Sequence, residues 1–299
     1  MMSLRDFSLL SLVCLAWGFN FVAAASGMQH FSPFAFMVLR FLLVLALMAP
    51  FLRRPPAGQW GRLIFVCLCI GALHFTSLFW ALGMSQDVSS IAITQQTYIP
   101  IAVILAMLVL GERVGWRSLL AIGVAFAGVI VLSFDPLMLQ QLPVLGMAML
   151  SALFQALGSV YMRGIRGMGV LNFQAWTALI SLPGLVLCSA VFETGQGQML
   201  QTAGWLDWAS VIYTALIASI VGHSLFFFLV QRHPVSSIMP YMNLTPLLAV
   251  LFGILVWGDR PGWRLALGGA LVLSGILAVT LRARQKAIGI SPATEPDGR

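Results

Sequence analysis

Gly111-Glu112-Arg113-Val114-Gly115-Trp116-Arg117 returns 147 residues later as Gly258-Asp259-Arg260-Pro261-Gly262-Trp263-Arg264. At the same offset and without a gap, Val88-Ser89-Ser90-Ile91 matches Val235-Ser236-Ser237-Ile238, Ser77-Leu78-Phe79 matches Ser224-Leu225-Phe226, and Gly128 matches Gly275. Chance is a poor explanation for a shared G-[ED]-R-x-G-W-R. The chain reads as one module written twice.

The module is apolar. Of 299 residues, 60% are hydrophobic and 8% charged, with mean hydropathy +0.96. A soluble domain carries about 25% charged residues, because its surface faces water. A membrane span needs about 20 apolar residues to cross ~30 Å of hydrocarbon. Ten stretches qualify: 7–26, 33–52, 63–83, 88–110, 117–134, 143–162, 171–192, 208–230, 236–257 and 263–281. The linkers are short, except for a loop at 193–207. The first stretch is long enough to span, holds Trp17 and Asn20, and is followed by further spans, which favours a span over a signal peptide.

Five spans per copy is an odd number, so the second copy enters from the opposite side. The sequence therefore predicts an all-α membrane protein of ten transmembrane helices. They form two inverted five-helix repeats, 1–137 and 138–284, with both termini cytoplasmic and a polar, disordered tail at 285–299. Charge agrees. With the N-terminus inside, only Arg260 and Arg264 of the 16 Lys and Arg fall outside, and Arg40 falls within a span. The two exceptions are the repeat copies of Arg113 and Arg117, carried across by the inversion. Inverted repeats recur in secondary transporters, with the solute site near the midplane.

The rest of the composition excludes other classes. A net charge of +7 suggests nucleic acid for a soluble protein, but no basic stripe with interleaved aromatics is present, and no nucleic-acid partner is expected. Cys14, Cys67, Cys69 and Cys188 all lie in apolar runs and read as buried thiols, without disulfide or zinc. No metal and no cofactor is expected. H-E-x-x-H, G-x-S-x-G and a carboxylate pair are missing, which argues against an enzyme. No ring or filter sequence suggests a channel. The G-[ED]-R-x-G-W-R element reads first as a turn: Gly for the bend, an Arg–acid pair, and an interfacial Trp. Gly123-x-x-x-Ala127 and Ala270-x-x-x-Ser274 let helices approach closely, within a monomer or across a weak homodimer.

The stretch from Pro100 through Gly111-Glu112-Arg113 to Gly128 resembles the repeated module of the drug/metabolite transporter superfamily, in its EamA-type branch of two copies and ten spans. Trp17-Gly18-Phe19-Asn20 is similar to that family's first-helix motif, Leu39-Arg40-Phe41 to its second-helix arginine, and Ala81-Leu82 to the end of its third helix. The resemblance covers about residues 7–281. The copies differ: Asp259 replaces Glu112, Pro246 is one place out of register with Pro100, and Trp17 and Asn20 have no counterpart in the sixth span. The resemblance implies a secondary transporter of the inner (cytoplasmic) membrane, with a small-molecule substrate and the lipid bilayer as partners. It would export small organic solutes, or facilitate their diffusion, by alternating access through a central cavity. Amino acids, including aromatic or neutral ones, come first. Multidrug or other metabolite export with proton exchange is the alternative.

Polar groups inside a membrane are costly and face a cavity or a partner. The candidates for substrate contact are Trp17, Asn20, Arg40, His74, Thr94, Gln95, Tyr98, Gln155, Ser159, Trp176, His223 and Asn243. Trp17 and Asn20 share a helix face by their i, i+3 spacing. Arg40 either meets a substrate carboxylate or accommodates backbone carbonyls. Pro100 and Pro246 are expected to break the fourth and ninth spans, freeing the carbonyls of Gln96 and Met242. No Asp or Glu lies clearly within a span, which favours facilitated diffusion or exchange over an ion-coupled pump.

Overall fold

The computed structural model describes residues 4–85, 87–110, 115–133, 141–162, 164–232, 241–242 and 244–287. Among them every regular element is helical. In chain order these are α1 (Leu4–Gly27), α2 (Pro33–Met48), α3 (Trp60–Met84) and α4, in two segments Val88–Gln95 and Tyr98–Leu110. There follow α5 (Trp116–Ser133), α6 (Leu142–Met162) and α7 (Val170–Phe192). Then come α8 (Trp205–Ile212, Tyr213–Gly222 and His223–Arg232 end to end), α9 (Leu244–Trp257) and α10 (Trp263–Ala287). Seven of these helices are long and apolar enough to cross a membrane, and stretches of α5, α9 and α10 are shorter apolar helices. The chain is a multi-pass membrane protein. Helix α10 runs to Ala287, beyond the predicted start of the tail; residues 288–299 lie outside the described residues.

The 193–207 segment is not a plain loop. It contains a helix, Gln196–Thr202, anchored by local polar contacts that hydropathy cannot register. Gln196 Nε2 donates to the Ser189 carbonyl at 2.7 Å, and the His30 ring meets the Met199 carbonyl at 2.8 Å. Glu193 supplies a cap. Its two carboxylate oxygens accept the Phe34 and Ala35 backbone N–H groups at 2.7 and 2.9 Å. These are orphan donors at the start of α2, behind Pro33, and a negative charge there is favoured.

A central apolar core draws on α1–α4 and α6–α9. Helices α5 and α10 pack chiefly on each other. A Cβ at Gly128 would come within 2.6 Å of the Gly268 carbonyl oxygen and the Val272 nitrogen; one at Gly275 would come within 2.6 Å of the Ala121 oxygen and 2.7 Å of the Ala125 nitrogen. These contacts are reciprocal at an offset of 147. The close approach uses Ala121, Ala125 and Gly128, one face at i, i+4, i+7. Gly123 points elsewhere, with nothing within 4 Å of its Cβ position.

Pro100 lies in a first turn, as the third residue of Tyr98–Leu110, where a missing N–H costs little. Pro246 lies within Leu244–Phe252, and residue 243 before that segment lies outside the described residues. Helix α4 does break, at Gln96-Thr97. The Gln96 carbonyl is not left free, because the Ile99 N–H donates to it at 3.1 Å in a tighter turn.

At one end of the bundle the α2–α3 and α6–α7 connections meet. Arg62 Nη1 donates to the Gly164 carbonyl at 2.9 Å, and the Arg166 N–H to Gln59 Oε1 at 3.0 Å. At the other end lie Asp87, Glu193, Asp207 and Asp259. In the repeated motif Asp259 does not pair with its neighbouring arginine. Its carboxylate accepts the Ser89 backbone N–H at 2.9 Å and the Ser89 hydroxyl at 2.5 Å, capping α4 from the α9–α10 turn. Asp87 is α4's own N-cap, accepting the Ser89 and Ser90 N–H groups at 3.0 and 3.3 Å and the Ser90 hydroxyl. The motif's tryptophans behave as expected of interfacial residues: Trp116 and Trp263 are exposed, and each stacks under the arginine that follows it.

Candidate functional site

Arg40 lies in the middle of α2 and is only 1% exposed. Its Nε and Nη2 donate to the Ser219 hydroxyl oxygen at 3.1 and 2.8 Å. The guanidinium carbon sits 4.4 Å from the Phe75 ring centroid and 5.3 Å from that of Phe79, so aromatic faces supply part of the missing solvation. Nη1 is buried without a partner. Among the described residues the pair within 4.0 Å is His30–Asp207, both half-buried, and Arg40 has no acidic partner. An uncompensated buried charge costs several kcal/mol.

Two histidines flank this cation: His74 precedes Phe75, whose ring lies under it, and His223 shares Ser219 with it. His74 opens the α-helical turn after a π-helical stretch, Leu68–Leu73; His223 does the same after Tyr213–Gly222. Such wide turns inside α-helices are frequent at functional sites. The Ser151 hydroxyl donates to the His74 carbonyl at 2.9 Å, and His74 Nδ1 lies 2.7 Å from that hydroxyl and 3.2 Å from the Ser151 carbonyl. With the hydroxyl hydrogen spent and a carbonyl able only to accept, His74 Nδ1 carries the proton. His223 Nδ1 faces the Ser219 carbonyl at 2.9 Å and is fixed in the same tautomer. Trp17 lies over His223 and Phe226, at ring-centroid distances of 5.0 and 5.3 Å, and its Nε1–H donates to the Ala218 carbonyl at 3.0 Å. Gly222 makes room for it, since a Cβ there would meet the indole nitrogen at 2.5 Å.

A polar stripe on α6 extends the cluster. Ser151, Gln155 and Ser159 are spaced i, i+4, i+8 and share one face. Gln95 Nε2 donates to Gln155 Oε1 at 2.6 Å, and the Ser159 hydroxyl to the Gln155 carbonyl at 2.7 Å. The stripe thus joins His74 on α3 to Gln95 on α4. Buried polar atoms without a partner gather on the helices around it: Asn20 Oδ1, Thr94 Oγ1, Gln95 Oε1 and Thr245 Oγ1, besides Arg40 Nη1. Natural interiors leave few such atoms, and each calls for an explanation; a solute is one.

The structure therefore links Trp17, Arg40, His74, Gln95, Gln155, Ser159 and His223 through shared contacts. Asn20 and Thr94 are buried on α1 and α4, and Tyr98 is half-buried just beyond the α4 break. Trp176 sits apart: its Nε1–H donates to the Arg53 carbonyl at 2.9 Å, and its ring meets Trp60 edge-on at 5.0 Å. That is an interfacial position at the end where the α2–α3 loop docks. Asn243 lies outside the described residues. Ser151 and Ser219 escaped the sequence reading. Each is one of several serines in an apolar helix, and the available signal was polarity within a span. A separate pocket of about 410 Å³ between α2, α7 and the Gln196–Thr202 helix is lined mainly by apolar side chains, among them Phe31, Leu39, Val186 and Met199, and touches none of the polar core.

Comparison with known proteins agrees with this architecture. A solved crystal structure superposes with a TM-score of 0.64 at 18% identity, covering 94% of this chain and 98% of that one, which shows a shared fold. A probable amino-acid metabolite efflux pump of Salmonella typhimurium is 30% identical over 287 residues, spanning 92% of this chain and 94% of that protein. A protein of the same description from Escherichia coli K12 is 29% identical over 286 residues, with the same coverage. The model of the EamA-like transporter family matches residues 7–134 and 142–281. The chain belongs to the EamA-like transporter family and is a membrane transporter, not an enzyme.

Proposed function

We propose that the protein exports small organic solutes, or facilitates their diffusion, with amino acids first among them. It does so by alternating access around the Arg40–His74–His223 core. In this reading ten spans form two inverted five-helix halves in the inner membrane, with both ends in the cytoplasm. The reciprocal packing of Gly128 and Gly275 supports the inversion, as does the match of one family model to both halves. The names of the relatives from Salmonella typhimurium and Escherichia coli favour amino acids.

One observation carries the substrate class: a fully buried guanidinium with an unpartnered Nη1 and, among the described residues, no acidic partner. A solute carboxylate satisfies it, while a lone cation suits multivalent phosphates poorly. The two imidazoles and the amide, hydroxyl and aromatic groups nearby suit the remainder of a zwitterion. Metabolite export with proton exchange is the second reading, favoured by the two histidines beside Arg40. Counterflow in proteoliposomes against amino acids, nucleobases, cationic dyes and phosphate esters tests both. Uptake of neutral amino acids is expected. Strong uptake of multivalent phosphates with none for amino acids overturns the proposal.

A further inference from the structure

We propose that Ser219 is the positioning residue for Arg40, fixing the guanidinium so that its Nη1 end, and not its Nε–Nη2 edge, faces a solute carboxylate. The inference rests on Arg40 being the carboxylate receptor. A guanidinium has five N–H donors and can grip a carboxylate with two parallel bonds. Here the Nε–Nη2 edge is already taken, because both atoms donate to the one Ser219 oxygen. That oxygen is saturated. Its own hydrogen goes to the Thr214 carbonyl at 2.9 Å, and its two lone pairs receive the arginine. Phe75 and Phe79 cover the cation. The Nη1 end is what remains, with Nη1 itself buried and unpartnered. Recognition is therefore end-on, through Nη1 and the second N–H of Nη2.

Ser219 also ties the cation to the rest of the site. Thr214 and Ser219 belong to the π-helical stretch of α8, and the Ser219 carbonyl accepts from His223 Nδ1. Arg40 lies 179 residues away on α2. A shift in the α8 turn moves the cation and the imidazole together. Without the Ser219 hydroxyl, the Nε–Nη2 edge has no acceptor, and the guanidinium is no longer held with its Nη1 end on the solute position.

The test is counterflow in proteoliposomes with Ser219→Ala and Ser219→Thr. The probes are the best-transported neutral amino acid and its carboxamide, which keeps the amine and side chain but loses the anionic charge. Ser219→Ala is expected to raise KM for the acid about tenfold relative to the amide, as for one lost hydrogen bond to a charged group. Ser219→Thr restores the hydroxyl and is expected to bring the ratio back. An unchanged ratio with Ser219→Ala, or equal losses with both variants, overturns the assignment. Arg40→Gln separates the two levels. If Arg40→Gln leaves the acid-to-amide ratio unchanged, or the wild type moves no carboxylate-bearing solute, the reading of Arg40 itself fails. If Arg40→Gln changes the ratio and Ser219→Ala does not, only the role of Ser219 fails. A monodisperse size-exclusion profile for each variant separates misfolding from mispositioning.

Discussion

Asp259 and Ser89, 170 residues apart, make a double contact: one carboxylate oxygen accepts both the backbone N–H and the hydroxyl of the serine. The contact clamps the α9–α10 turn onto the start of α4. Gly253 leaves room for it, since a Cβ there would fall 2.3 Å from the same oxygen, and Gly258 makes the turn at φ +83°. Asp259→Ala is expected to destabilise the protein by about 1–2 kcal/mol, the range for a lost N-cap. Asp259→Asn keeps an acceptor and is expected to lose less. Thermal unfolding in detergent checks the order.

Asp87 caps the same helix end from within the chain. Burial pushes its carboxyl up to about 6, the Ser90 hydroxyl draws it down, and the neighbouring Asp259 raises it again. A carboxyl raised on folding binds more protons in the folded state. Its ionisation therefore costs stability, and the cost appears as pH climbs from the ordinary carboxylate range through 6. The wild type is expected to lose thermal stability as pH rises from the ordinary carboxylate range through about 6. Asp87→Asn, a competent N-cap without a charge, is expected to flatten that slope. A slope unchanged by Asp87→Asn contradicts the assignment.

Arg40→Gln removes the cation while keeping a polar side chain of similar reach. Transport of a neutral amino acid is expected to fall about 10–100-fold in efficiency, in line with hydrogen bonds to a charged group. Because the charge is uncompensated in the described structure, thermal stability is expected to hold or rise. Loss of transport together with collapse of the fold would instead mark Arg40 as a structural residue.

Trp17 and Gln95 are expected to respond differently. The indole of Trp17 donates to the Ala218 carbonyl within the π-helical stretch, so Trp17→Phe removes that hydrogen bond and is expected to cost about 0.5–1.5 kcal/mol of stability. Gln95 holds Gln155 with its amide nitrogen and keeps Oε1 unpartnered. Gln95→Leu is expected to reduce transport several-fold at near-wild-type stability. Parallel counterflow and unfolding measurements separate the two roles.

Gly128 and Gly275 bring α5 and α10 to backbone contact in a reciprocal way. Gly128→Ala and Gly275→Ala are each expected to destabilise by about 1–3 kcal/mol through overpacking. Gly123→Ala, at an open position, is expected to be neutral or slightly stabilising.

Hydropathy, loop charge and the 147-residue offset were enough to identify a multi-pass helical protein and to propose its two inverted halves. Those are properties of long apolar runs and of repetition along the chain, and both survive without coordinates. Arg40, His74 and His223 were also legible, because a polar group in an apolar span is conspicuous by its cost. Their partners were not. Ser151 and Ser219 look like any serine in a membrane helix, and their importance comes from which helices pack together. Trp176 and Trp17 are equally conspicuous in sequence, yet tertiary structure sends one to an interfacial carbonyl and the other to the polar core. The acid of G-[ED]-R-x-G-W-R pointed to its adjacent arginine, and folding carried Asp259 to Ser89 instead. Sequence shows which groups must find a partner inside a membrane. The long-range packing of helices decides which partner each one finds.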